Sequence, residues 1–154
     1  MNKPSFAAKK KKISQIVRLL TIAIGLLILG KEIYTAHNLA YLYDASKEEI
    51  QICLEDKGVL SSWGHYSNDE LFSRQFGSTG ISELGPVTLA ESQEITISGK
   101  TSLGAAKVAV LSPTGALDIF PLSSESYVAQ NAGEYKVYSV MKHFWGTIQI
   151  SPSD

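Results

Sequence analysis

An apolar run at residues 19–30, LLTIAIGLLILG, constrains the fold of this chain more than any other feature. Its twelve residues are fewer than the roughly 20 that a helix needs to cross a bilayer. Apolar neighbours extend the run to residues 13–34, and the side chains of Arg18 and Lys31 are long enough to reach a membrane surface. The sequence therefore predicts a transmembrane signal-anchor helix at residues 13–34, with the membrane as its partner.

A cleaved signal peptide is the main alternative, because an apolar core of roughly 7–15 residues is typical of such peptides. Signal peptidase requires small residues at positions −3 and −1 of the cleavage site. Cleavage after Ala36 or Ala40 would place Tyr34 or Asn38 at −3, which disfavours both sites. An uncleaved anchor is therefore favoured over a cleaved, secreted domain, and a buried helix of a soluble protein comes third.

The charges of the chain are distributed unevenly around this run. Residues 1–31 carry seven cations and no acid, whereas residues 32–154 carry seven cations and all fifteen acids, a net charge of −8. The positive-inside rule then predicts a cytoplasmic leader at residues 1–12 and a C-terminal domain outside the cytoplasmic membrane. The lysines at residues 9–12 serve as the orientation signal in this interpretation, so no nucleic acid partner is expected.

A short helix is predicted at residues 47–57. The capping-box pattern S-x-x-E begins at Ser46, and Gly58 stands where a helix commonly ends. The helix has one narrow apolar stripe, which must pack either against the domain or against a second copy of the chain. The stripe, and therefore the surface for self-association, consists of Ile50, Cys53 and Leu54.

The remainder of the juxtamembrane segment, which spans residues 35–85, is less regular. A second S-x-x-E pattern predicts a helix of one or two turns at residues 69–76. The glycine- and serine-rich stretch at residues 77–85 is predicted to be a loop. The β-domain is therefore expected to begin at residue 86.

Residues 86–151 are predicted to form a mainly-β domain. Polar and apolar residues alternate at 87–90, 94–98 and 134–140, as they do in half-buried strands. Turn residues recur about every 8–12 residues, for example at Pro113. This pattern of about seven short strands predicts an antiparallel β-sandwich preceded by one or two short helices.

The motif N-A-G-E-Y-K-V at residues 131–137 resembles the D-x-G-x-Y-x-C segment of immunoglobulin-type domains. The layout of residues 94–151 is similar to that of small immunoglobulin-like β-sandwich domains of secreted or membrane-anchored bacterial proteins. The resemblance implies that Gly133 makes a turn, that the Tyr135 hydroxyl bonds to upstream backbone, and that Val137 takes the core place of a disulfide cysteine. Folds of this kind imply no activity.

No catalytic, metal or cofactor site is expected. The sequence contains no G-x-S-x-G motif, no zinc-type histidine spacing and no phosphate-binding glycine loop. The single cysteine lies on the predicted helix stripe, where a thiol is usually inert.

An aromatic cluster is the best candidate for a partner surface. If these side chains are exposed together, they suit a protein or carbohydrate partner; if they are buried, they close the core of the domain. The cluster consists of Trp63, His65, Tyr66, Phe144 and Trp145.

The predicted function is that of a single-pass, membrane-anchored β-sandwich protein with a non-catalytic role in binding or assembly. A secreted, cleaved domain is one alternative. A pseudopilin-like assembly subunit is another, although no glycine-phenylalanine processing site precedes the apolar run. An enzyme with an unrecognised site is the least favoured class.

Overall fold

A computed structural model describes residues 6–58, 60–62, 65–67, 72–123 and 125–152. The chain divides into two units, Met1–Tyr34 and Thr35–Asp154. Within the described residues there are three helices and seven strands. The helices are α1 (Phe6–Leu39), α2 (Tyr41–Asp44) and α3 (Lys47–Lys57), and the strands are β1 (Leu60–Ser62), β2 (His65–Ser67), β3 (Phe72–Leu89), β4 (Glu94–Leu111), β5 (Leu117–Pro121), β6 (Glu125–Val128) and β7 (Gly133–Pro152).

The N-terminal unit consists of the larger part of helix α1, which is 34 residues long. The large apolar side chains of its residues 16–29 are between 42% and 75% exposed. Among the residues that the structure describes, no helix has both the length and the apolar character that crossing a bilayer requires. This finding contradicts the predicted transmembrane helix at residues 13–34, and the predicted single-pass location in the cytoplasmic membrane is corrected with it. The stretch without charged residues is only the twelve residues 19–30, between Arg18 and Lys31, which is short of about 20.

Helix α3 has the predicted bounds, and the prediction is confirmed. The Ser46 hydroxyl accepts a hydrogen bond from the Glu49 amide at 3.2 Å, and the Glu49 carboxylate accepts one from the Ser46 amide at 2.8 Å. The helix ends at Gly58, whose N–H donates to the Leu54 carbonyl at 3.2 Å. Ile50 and Cys53 are buried in a cluster with residues of the sheet, so the stripe packs against the domain itself and leaves these two side chains unavailable to a second chain.

The seven strands form one antiparallel sheet in the order β1-β3-β7-β4-β5, with β2 also paired to β3 and β6 to β4. Strands β3 and β4 are 18 residues long and β7 is 20 residues long. The central strand β7 pairs with β3 on one side and with β4 on the other. A mainly-β antiparallel fold is thus confirmed. The immunoglobulin-like sandwich is wrong, because that fold has two separate sheets of shorter strands.

Strand β3 also replaces two elements that were expected ahead of the β-domain. Its residues 72–76 were predicted to be helical and residues 77–85 were predicted to be a loop, yet both lie in the strand. Residues 69–71 of the predicted helix lie outside the described residues. The strand is therefore continuous through the position where the domain was expected to begin.

The long strands bend so that the two halves of the sheet enclose a core. In a straight strand, Ile95 and Val110 of β4 would lie roughly 50 Å apart. Both side chains nevertheless belong to one cluster of buried residues, which we call the enclosed core. The bends coincide with register shifts at residues 101–105 in β4 and at residues 75–80 in β3. Such shifts are β-bulges, which increase strand curvature.

One half of the bent sheet is also buried on its outer face. Val108 and Val110 contribute to the enclosed core, whereas Ala109 between them packs in a second cluster with Leu42 of α2 and Ile50 of α3. The helices therefore cover this half. The outer face of the other half is exposed at large apolar residues of β3, β4 and β7: Phe76, Leu103 and Trp145.

The enclosed core contains an aromatic cluster around Tyr127. Its ring packs edge-on against Phe120 and Tyr135, with centroid distances of 5.6 Å and 5.7 Å. Burial, together with the nearby Tyr135 and Asp118, raises the pKa of Tyr127 to about 12. The folded protein therefore holds this phenol in its neutral form at pH values where an unfolded chain ionises it.

Stability should consequently depend on pH in the alkaline range. Because the folded pKa of Tyr127 is raised above its unfolded value, its contribution is complete below about pH 10 and is lost as the pH rises through about 12. We expect the urea midpoint of the wild type to fall over this range, and that of Tyr127→Phe to fall less relative to its own value at neutral pH. A smaller fall remains, because burial and Glu83 also raise the pKa of Tyr138. Parallel falls in both proteins would contradict the assignment to Tyr127.

Candidate binding site

The outer face of the half of the sheet that helices α2 and α3 do not cover carries an aromatic pair, Phe76 of β3 and Trp145 of β7. The ring centroids are 6.1 Å apart and the ring planes meet at 86°, an edge-to-face arrangement. The two side chains are 43% and 47% exposed. Because an edge-to-face contact contributes about 0.5–1.5 kcal/mol beyond its buried area, the rings support each other in the free protein. Leu103 of β4, which lies opposite Trp145 in the register, is 63% exposed and extends the apolar surface.

Gly77 allows the indole of Trp145 to lie against the backbone of β3. Its φ angle is +65°, and a Cβ atom at this position would lie 3.1 Å from the Trp145 Nε1 atom. The register of β3 against β7 shifts between Gln75 and Ser78, so Gly77 belongs to a bulge. Glycine thus supplies both the left-handed backbone conformation and the space that the ring occupies.

A groove of about 250 Å³ lies beside the aromatic pair. Its walls combine the two aromatic rings with hydrogen-bonding groups from all three long strands. The lining residues are Arg74, Gln75, Phe76, Ser102, Trp145, Gly146 and Thr147.

Two cations share the outer face with the aromatic pair. Arg74 of β3 pairs with Thr147 of β7, and Thr147 pairs with Lys100 of β4, so the three residues form one row across the sheet. Residues directly opposite each other lie on the same face. Both cations are exposed, and two strand spacings place their Cα atoms roughly 10 Å apart.

A buried polar network supports the segment of β3 that carries this site. The Gln75 side-chain nitrogen donates to the Ser73 hydroxyl at 2.6 Å, and the Ser78 hydroxyl donates to the Gln75 side-chain oxygen at 2.7 Å. All three side chains are almost fully buried. Since buried, hydrogen-bonded networks rigidify their surroundings, Arg74 and Phe76 are presented from a fixed backbone.

The structure separates the residues that were expected to form the partner surface. Trp145 is exposed, but Phe144 is fully buried in the enclosed core. The prediction that Phe144 belongs to the partner surface is therefore wrong. Trp63 lies outside the described residues. The backbones of His65 and Tyr66 lie in β2, where they pair with Gln75 and Arg74. The segment that contains these two residues is therefore adjacent to the groove-lining part of β3.

The residues singled out by the resemblance lie away from the groove. The Tyr135 hydroxyl donates to the Asn131 carbonyl at 2.8 Å and accepts from the Asn131 amide at 3.2 Å. Val137 is fully buried in the enclosed core, and Gly133 begins strand β7. In the described part of the chain, no group of three or more histidine, cysteine or acidic side chains could hold a metal ion.

No protein-family model matches this chain, and no curated protein matches its sequence. Among solved structures, it is similar to a cupin domain from Bordetella pertussis Tohama I, with 12% sequence identity and a TM-score of 0.29. The match covers 59% of this chain and 91% of that chain. At this TM-score the similarity carries no argument about fold or function.

Proposed function

We propose that this chain is a non-catalytic binding protein, and that it contacts a protein partner through the aromatic pair and the groove beside it. One observation carries the proposal: Phe76 and Trp145 remain about half exposed while most other large apolar side chains of the sheet are buried. Exposed tryptophan beside arginine is typical of the residues that dominate binding energy at interfaces. An aromatic side chain buries about 150–250 Å² in full, so covering the exposed part of both rings would contribute roughly 4 kcal/mol before association costs.

The chemistry of the groove favours binding over catalysis. Its described lining offers the guanidinium of Arg74 and two hydroxyl groups, which donate or accept hydrogen bonds. The side-chain amide of Gln75 is not available to a partner, because it is already bonded within the buried network. The same lining contains no histidine, carboxylate or cysteine that could act as general base or nucleophile. The perpendicular rings form a corner for one side chain, whereas the ring of a sugar requires a flat platform. A protein is therefore favoured over a carbohydrate.

The test uses a random octapeptide library displayed on phage and the full chain as bait. We expect the enriched peptides to lose about tenfold or more in affinity with Trp145→Ala, because residues at interface hot spots cost about 2 kcal/mol or more when truncated. Affinity would be measured by fluorescence anisotropy, with circular dichroism to establish that the variant is folded.

Ile52→Ala is the matched control. Ile52 is a large apolar residue that is 56% exposed, like Trp145, but it lies on helix α3 and does not line the groove. This change should leave peptide affinity unaltered. A library that yields no peptide dependent on Trp145 would overturn the proposal of a protein partner. Trp145-dependent binding on a glycan array, with no peptide enriched, would assign the surface to carbohydrate.

A further inference from the structure

We infer that the partner segment is an acidic, extended peptide in which a glutamate or aspartate flanks an apolar anchor residue. This inference rests on the proposed function, since it names the partner of the same groove. The observation behind it is the row of Arg74, Thr147 and Lys100, which places two exposed cations beside the aromatic pair. Neither cation forms an ion pair with another described residue, whereas Lys47 and Lys142 are paired with Asp118 and Asp44.

The net charge of residues 32–154 favours the groove over other surfaces as the binding place of an acidic peptide. Residues 32–154 carry a net charge of −8, so an acidic peptide is repelled by the domain as a whole. The local charge at the groove is positive instead, because its described lining and the adjoining row contain two cations and no acid. Complementary charge would therefore set the place and orientation of the peptide, while the aromatic pair supplies most of the apolar contact.

The spacing of the site fits an extended peptide. Phe76 lies two residues from Arg74 along β3, and Trp145 lies two residues from Thr147 along β7. Two residues of strand span roughly 7 Å and return to the same face. In an extended peptide, an anchor residue and an acid two positions away have the same separation. One peptide can therefore place its anchor between the rings and its carboxylate beside Arg74 or Lys100.

A single-stranded nucleic acid is the competing occupant, because such ligands also combine negative charge with stacking on aromatic rings. The hydroxyl groups of Ser102 and Thr147 suit a peptide backbone equally well. The net negative charge of the domain disfavours a long polyanion, which would extend beyond the two cations.

The experiment repeats the phage selection and sequences the enriched octapeptides. We expect acids to be enriched two positions from an aromatic or aliphatic anchor, and affinity to fall as salt is raised. Arg74→Glu and Lys100→Glu should each lower affinity about tenfold, and a peptide with lysine in place of its acid should recover affinity for Arg74→Glu. Lys136→Glu makes the same charge change at an exposed position on the other half of the sheet and should have little effect.

The outcomes separate this inference from the proposed function. Peptides that depend on Trp145 but show no preference for acids, or that tolerate Arg74→Glu as well as Lys136→Glu, would overturn the inference and leave the binding surface standing. Peptides that do not depend on Trp145 would overturn both. Competition by an oligothymidylate at affinities equal to those of the peptides would replace the acidic peptide with nucleic acid.

Discussion

Replacing Phe144 with alanine should lower the free energy of unfolding by about 3–5 kcal/mol, the range for buried phenylalanine. The side chain is fully buried in the enclosed core, between the two halves of the sheet. Its ring packs on Gly146, where a Cβ atom would lie only 2.6 Å from the Phe144 Cζ atom. Because the strands bend at this level, neighbouring side chains are held from both halves and can collapse only partly into the space. Equilibrium unfolding in urea measures the change.

The neighbouring Trp145→Ala is the matched comparison, since it removes a larger ring from an adjacent position. This side chain is about half exposed and its described ring contact is with Phe76. We expect a smaller cost of about 2 kcal/mol, because only about half of this side chain is removed from water and the edge-to-face contact is lost with it. Similar costs for the two variants would mean that Phe144 and Trp145 do not occupy opposite environments.

The opposite positions of these two residues were foreseeable from the sequence. Successive side chains of a strand point to opposite faces, so consecutive aromatic residues in a strand cannot both belong to one surface. The predicted aromatic cluster is wrong at this point, because it assigns Phe144 and Trp145 to one surface. The proximity of Phe76 to Trp145, by contrast, could not be predicted from the sequence. It results from pairing between β3 and β7, which no local pattern encodes.

Local interactions explain which elements were predicted correctly. Helix α3 begins at a capping box and ends at Gly58, and both signals act within a few residues of the chain. The alternation in β4 and β7 likewise predicted an antiparallel, mainly-β domain, which is confirmed. These features require no knowledge of distant residues.

The glycines were harder to interpret, because the same residue serves turns and bulges. Gly77, Gly80 and Gly85 all have positive φ angles, and this stretch was predicted to be a loop. In the structure they lie within β3, beside its register shifts against β7. Whether such glycines end a strand or bend it depends on a partner strand, so the sequence predicted short strands where the structure has long, bent ones.

Gly104→Ala tests the bend directly and should lower the free energy of unfolding by about 2–4 kcal/mol, the sum of backbone strain and overpacking. Gly104 has a φ angle of +74°, and a Cβ atom there would lie 2.2 Å from the His143 carbonyl oxygen and 2.4 Å from that of Lys142. The backbone of β7 is not free to move away. His143 is itself held at a φ angle of +49°, and its N–H donates to the Thr79 hydroxyl at 3.1 Å.

Gly115→Ala separates the two causes of this loss. Gly115 has a similar φ angle of +84°, but a Cβ atom there would meet nothing within 4 Å, so the variant retains the strain without the clash. We expect it to cost about 1 kcal/mol in the same urea experiment. The difference between the variants then measures how closely β4 must approach β7 for the sheet to bend. Equal costs would contradict this account, because they would show that β7 can yield at His143 and that the bend does not depend on glycine at residue 104.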